Sequence, residues 1–394
     1  MRRLIAGRVL YPPNSDMALG KIHKWLTSCL DSHNECRETL AGELCSKDNL
    51  LPTRLIDVTA TPPRLIETST LPKTTGQYLC LSYCWGSLSD SSEYCKLTRA
   101  SLTKFTVALP FDALPKTIQD GMLITRSLGQ RYLWVDSLCI IQDDEAMGDW
   151  HTEASKMCQI YENALCTIAA TAAAHSGEGL FFPRQADDGG PNSRSDKQAR
   201  FSCSVNGSRL GDFFISTPAV GYSETYDGEI ESSRWSTRAW VFQEQVCSRR
   251  ILHFGKHQMF WECLECTRQE DGTVVKSMNE RRWKADMRYG IRRSSAHRAR
   301  IIAATNYSLT KSLPWHSRGI DYVLEWNEII NLYNARSITR KYDRLAAIDG
   351  IAQEISRWSG YKYCYGLWLQ DIARGLFWIP SQNLLARPSN ATGA

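Results

Sequence analysis

The first half of the chain alternates short apolar runs with segments whose apolar residues recur at helical spacing. Residues 20–36, GKIHKWLTSCLDSHNEC, set Ile22, Trp25, Leu26 and Leu30 three and four apart, which predicts a helix. LPTRLIDV (51–58) is a short strand candidate bounded by prolines. QYLCLSYCWG (77–86) is apolar and aromatic and ends in glycine, the pattern of a buried strand entering a loop. LPKTIQDGMLITRSLG (114–129) opens with Pro115 near its first turn. It gathers Ile118, Met122 and Leu128 near one face and stops at Gly129, the punctuation of a helix. YLWVD (132–136) then reads as a second strand. WHTEASKMCQIYENA, with apolar residues at 150, 154, 157, 160, 161 and 164, reads as a helix, and LCTIAATAA (165–173) as a third strand.

Strand, helix, strand, helix, strand in that order predicts a parallel α/β layer. Residues 185–200 are polar and contain Gly and Pro, so they read as a flexible insertion. Shorter strands are expected across 201–262, including RILHFGKHQMFWEC, and a helical region from 279 to about 378. The organisation expected is a lead-in over 1–50, a core over 51–268 and a mainly helical extension with a polar tail over 269–394.

Composition adds limits more than direction. The 394 residues are 43% hydrophobic and 23% charged, with 13 Trp and 16 Tyr, enough for a sizeable core. A net charge of +5 argues for neither nucleic acid nor membrane. No apolar run approaches the length of a membrane span, and Arg8 interrupts any signal-peptide core, so the expectation is an intracellular protein. Cys80, Cys84, Cys139 and Cys166 sit in apolar strand-like runs and read as reduced core residues, not as a disulfide framework.

Four features carry candidate chemistry. Glu153 shares the apolar helix face of Trp150, Met157 and Ile160; a carboxylate there must be satisfied or have its pKa raised. The alternative is a buried structural ion pair. The strand ends LSYCWG and VDSLC place Ser82, Tyr83, Trp85, Gly86, Asp136 and Ser137 where open parallel sheets bind ligands; the plainer reading is capping of the next turn. Cys29, His33 and Cys36 offer soft ligands for zinc in a spacing that matches no standard finger, against free thiols and a capping histidine. CLEC (263–266) is a lone CxxC and weaker still. Residues 281–300 hold eight Lys or Arg and one Asp, more often a solvated helix face than a phosphate track. Nucleotide-binding GxGxxG and P-loop motifs, HExxH and GxSxG are all missing from the sequence.

Taken together, YLCLSYCWGS, the long run from LPKTIQDGMLITRSLG through ENALCTIAATAA, and RWSTRAWVFQEQVCSRRILHFGKHQMFWEC resemble the three blocks of the HET domain of filamentous fungi, the heterokaryon-incompatibility domain. WLTSCLDSHNEC with LPTRLIDV is similar to the family's lead-in, and YDRLAAIDGIA with YGLWLQDIARGLFW to its helical tail. The resemblance implies a cytoplasmic effector of non-self recognition and programmed cell death, a form of allorecognition and innate immunity. It also implies an incompatibility or immune-receptor protein as partner, self-association, and further sequence beyond the polar tail LARPSNATGA.

The family in turn resembles, more remotely, the TIR domain, which implies a flavodoxin-like parallel sheet core with extra short strands and a C-terminal helical region. Some TIR domains cleave NAD at the nicotinamide–ribose bond. On that resemblance Glu153 would be the catalytic carboxylate and Trp150 its helix partner. Tyr83 or Trp85 would stack on a ring, and Asp136 or Ser137 would hold ribose or phosphate. NAD would be the substrate and no cofactor would be required. The competing expectation is a non-enzymatic signalling module that recruits partners through the aromatic loop at 83–86.

Overall fold

The computed structural model describes residues 11–38, 49–86, 96–143, 148–184, 198–205, 208–216, 226–272 and 322–376. Its centre is an eight-stranded sheet. In chain order the strands are β1 (Arg54–Asp57), β2 (Arg64–Glu67), β3 (Leu79–Ser82), β4 (Tyr132–Val135), β5 (Cys166–Ala169), β6 (Arg250–Phe254), β7 (Met259–Cys263) and β8 (Thr267–Gln269). Across the sheet they run β8-β7-β6-β5-β3-β4-β1-β2. Strands β3, β5, β6 and β7 are buried at every position, as strands covered on both faces must be, which is why their sequences are mostly apolar without strict alternation.

The expected parallel layer is present: β4, β3, β5 and β6 run parallel, with Cys80 opposite both Trp134 and Thr167. Antiparallel strands flank it, β1 and β2 beyond β4, and β7 and β8 beyond β6. The sheet as a whole is therefore mixed. From β3 the chain crosses to β4 on one side, through α2 (Arg99–Val107) and α3 (Lys116–Ser127), and next to β5 on the other, through α5 (Gly148–Asn163). The direction of winding reverses at β3, so the crevice beyond its carboxyl end is the topological switch point.

Strand alternation decides which helix meets which side chain. Leu81 faces α3, where a Cβ on Gly121 would lie 3.2 Å from its Cδ2. Tyr78 and Cys80 face α5, both bonding the Ile160 carbonyl, at 2.7 Å from the Tyr78 hydroxyl and 3.8 Å from the Cys80 thiol. Ser82, two residues on, shares that second face. There it meets α6 (Ala239–Cys247), a helix formed inside the stretch 201–262, where shorter strands are expected. In that stretch the ladder 198–205 with 208–216 forms a separate two-stranded sheet. β6 and β7 follow α6 as the expected apolar hairpin.

Helices α7 (Tyr322–Asn334) and α8 (Ala346–Ser359) fall in the region expected to be helical, and α8 packs on both α5 and α6. The Gly350 N–H donates to Gln243 Oε1 at 3.0 Å, and the Phe242 and Tyr333 rings lie 5.8 Å apart. Ile348, Ile351 and Ile355 join the same buried core as the sheet. Cys80, Cys84, Cys139 and Cys166 are free and buried, as expected, whereas Cys158 of α5 and Cys247 of α6 form a disulfide. That pair is not among the cysteines that read as reduced; two helices on one face of the sheet bring it within bonding distance. Most of the polar insertion (185–197) and the basic segment 281–300 lie outside the described residues. Among the described residues no helix is long and apolar enough to cross a membrane.

Candidate functional site

Beyond the carboxyl end of β3 the chain continues as Tyr83-Cys84-Trp85-Gly86, with Gly86 at a φ of 94° that favours glycine. Beyond β4, Asp136 opens the four-residue turn of helix α4 (Asp136–Cys139). The two strand ends are knitted together. The Tyr83 hydroxyl donates to Ser137 Oγ at 2.8 Å, the Trp85 indole N–H to Asp136 Oδ2 at 2.9 Å, and the Ser137 N–H to Asp136 Oδ1 at 2.7 Å. Ser82, Tyr83, Trp85, Gly86, Asp136 and Ser137 thus lie together at one end of the sheet, and among the described residues no side chain caps the turn that Asp136 opens.

Three residues that sequence reasoning did not single out complete the cluster. Ser82 Oγ donates to the Glu244 carboxylate and accepts from the Trp235 indole N–H at 2.6 Å. The Arg238 guanidinium donates to the Tyr83 carbonyl. The signal available was the polar trio Gln243-Glu244-Gln245 inside AWVFQEQVC, all three buried on a helix that is apolar around them.

The electrostatics follow from burial. Loss of water raises Asp136 to about 6, against the pull of Arg238, the Ser137 N–H and the Trp85 and Tyr83 hydrogen bonds. Burial raises Glu244 to about 7, against the Ser82 bond and the Arg238 charge, with the negative charge of Asp136 adding to the rise. Ser82, Tyr83, Ser137, Trp235 and Glu244 are buried, whereas Trp85, Gly86, Asp136 and Arg238 keep partial access to solvent. Although part of Asp136 is accessible, its carboxyl is ringed by protein atoms. Two acids poised near neutrality beside a guanidinium can hold hydroxyls, exchange a proton, or oppose a developing positive charge.

Glu153 stands elsewhere. It is 1% exposed, and its Oε1 accepts from Thr53 Oγ1 at 2.7 Å and from Lys156 Nζ at 2.9 Å, while Oε2 has no hydrogen-bond partner. One turn earlier Asp149 pairs with Arg54, which also donates to the Cys139 carbonyl at 2.6 Å. Trp150 is half-buried, edge-on to Trp240 with ring centroids 5.9 Å apart. The structure therefore separates the expected residues into a group at the strand ends and a second carboxylate centre on α5. Cys29, His33 and Cys36 do converge, far from both along the sheet, at the outer end of β7, where a soft metal would find ligands.

The arrangement defines an α/β protein with a carboxylate-bearing site at its switch point. Residues 78–244 match the family model described as heterokaryon incompatibility protein (HET). The match starts at Tyr78, one residue before β3, and ends on Glu244 itself. No curated protein and no solved structure matches the chain. The HET domain points to a role in heterokaryon incompatibility.

Proposed function

We propose that the protein acts in heterokaryon incompatibility by cleaving NAD at its nicotinamide–ribose bond, with Asp136 and Glu244 as the working carboxyls. The observation that carries this reading is that pair, held near neutrality beside Arg238 at the switch point of a doubly wound core. Counted from β3, the parallel strands follow the order 2-1-3-4, the start of the flavodoxin-like order, which supports TIR-like kinship.

In the reaction the bond from ribose C1′ to the pyridinium nitrogen breaks and its electron pair stays on the ring, so nicotinamide leaves neutral. Positive charge develops on the ribose, and water adds at C1′ and gives up a proton, leaving ADP-ribose. At neutral pH Asp136 is mostly carboxylate and Glu244 about half ionised, from values of about 6 and about 7. Asp136, the more accessible, opposes the ribose charge. Glu244 fixes Ser82, Arg238 offers a cation to the pyrophosphate, and Trp85 offers a ring for stacking.

The charge-opposing role moves here from Glu153 because Glu153 is buried and paired with Lys156. The signalling-module reading draws less support, since Tyr83 is buried against Ser137 and leaves Trp85 alone as an accessible aromatic of the loop.

The test is to express the full chain in cells and follow NAD and viability, with the purified protein assayed on NAD in parallel. Asp136→Asn is expected to slow NAD loss by ~100-fold or more, the usual scale for one preorganised electrostatic group. Glu244→Gln is expected to slow it as well, and Glu153→Gln to leave the rate within a few-fold. Cell death with level NAD overturns the enzymatic reading. Full activity of Asp136→Asn together with a dead Glu153→Gln returns the role to Glu153.

A further inference from the structure

We infer that Cys29, His33, Cys36 and Cys263 form a closed, four-ligand zinc site that fastens the N-terminal helix to the edge of the sheet. Helix α1 (Asp16–Ser32) buries Ala18, Ile22, Trp25, Leu26 and Cys29 along one stripe and ends at Ser32. His33 is its C-cap, and Cys36 lies in the 3-10 turn Glu35–Arg37. Cys29 and His33, four apart, therefore share a face, and the tightened chain turns Cys36 back towards them. Cys263 arrives from the end of β7, 230 residues away in sequence from His33.

The ligand atoms of all four residues lie within 4.8 Å of one another, and Cys263 Sγ is 3.3 Å from His33 Nδ1. Zinc bonds of about 2.3 Å to sulfur and about 2.0 Å to nitrogen put the corners of a tetrahedron roughly 3.5–3.8 Å apart, so small side-chain shifts suffice. A Cys3His set leaves no open position, which is the mark of a structural site and not of a catalytic one.

Charge gives an independent reason. Arg250 is buried, and among the described residues its guanidinium meets sulfur and carbonyl oxygens and no carboxylate. Its guanidinium donates to Cys29 Sγ at 3.2 Å, to the Cys36 carbonyl at 2.9 Å and to the Leu165 carbonyl at 3.3 Å. A buried cation without a counter-charge is costly. Three thiolates, a neutral imidazole and Zn2+ carry a net charge of −1, which Arg250 balances; three protons leave as the thiols bind. Glu265 Oε1 accepts the Glu35 N–H at 2.8 Å and ties the two ligand segments together outside the metal. Cys266 Sγ lies 3.6 Å from Cys263 Sγ, as a fourth sulfur at the rim.

The full chain, purified under reducing conditions, is expected to carry about one zinc per molecule. With Co2+ it is expected to show tetrahedral d–d bands and sulfur-to-cobalt charge transfer. Cys29→Ser and Cys263→Ser lose the metal, whereas Cys266→Ser and the remote Cys166→Ser keep it. His33→Cys keeps it and raises the charge-transfer intensity by about a third, a gain that a merely structural cluster cannot give. The cobalt spectrum of the unaltered chain needs no variant to fold. If the folded chain takes up neither Zn2+ nor Co2+, the site does not exist. A Cys263→Ser chain that retains a full equivalent overturns the ligand assignment, as does loss of metal on Cys266→Ser.

Discussion

Asp136 and Glu244 are acids the fold would sooner keep protonated. Their ordinary values are 3.8 and 4.5, and burial lifts them to about 6 and about 7. Between those limits the folded chain binds more protons than the unfolded one, so stability falls as pH rises. The contribution is complete below the unfolded values and is lost as pH passes through the folded ones. From pH 5 to pH 8 the wild type is therefore expected to lose about 1–3 kcal/mol more than Asp136→Asn or Glu244→Gln, a shift of one unit being worth ~1.4 kcal/mol. Thermal unfolding across that range measures it, and parallel curves for all three proteins would refute the shifts. Asp136 could be placed from the sequence, because it ends an apolar run. Glu153 could also be recognised there as a carboxylate on an apolar face, but nothing in the spacing says that Thr53, a hundred residues away, bonds its Oε1 beside Lys156 and that its Oε2 is left unpaired.

Helix α6 is the element that sequence pattern hid. Apart from Trp240 it is buried throughout, and a helix wrapped on all sides has no polar stripe to give a 3.6-residue period. Set beside strand-forming residues, it reads as another apolar run, and its Glu244 passes as an accident of composition. α5 was legible because Thr152, Ser155 and Lys156 mark a solvent side. Helix α8 crosses both at Gly350, where an added Cβ would lie 2.7 Å from Gln243 Oε1 and 2.8 Å from Cys158 Cβ. Alanine is the better helix former by about 1 kcal/mol, yet here the overlap decides the sign. Cys158 is tied to Cys247 and cannot swing aside. Gly350→Ala is expected to destabilise the protein by about 1–3 kcal/mol, read from urea unfolding. A stabilised variant would mean that α8 does not sit against α5 as described.

The order of elements along the chain told of a parallel layer but not of its arrangement, since which strand lies beside which is settled by contacts far apart in sequence. Nor could it tell that the C-terminal helices belong to the same core. Ile348, Ile351 and Ile355 are buried with the sheet residues, and each such side chain is worth about 1.5–3 kcal/mol. A chain ended after residue 272 is expected to lose cooperative unfolding and to bind a hydrophobic dye. A truncated protein that melts as sharply and as high as the full one would show the helices to be an appendage.

The bond from Ser82 to Glu244 joins residues 162 apart, and the matched span 78–244 is in effect a ring fastened by its own two ends. A nascent chain that has reached residue 200 already holds Ser82, Tyr83, Trp85, Asp136 and Ser137, yet neither Arg238 nor Glu244 has been made. On the proposed NAD-cleaving function, this ordering is a safeguard written into topology. A fragment folded only as far as its first strands lacks both Arg238 and Glu244.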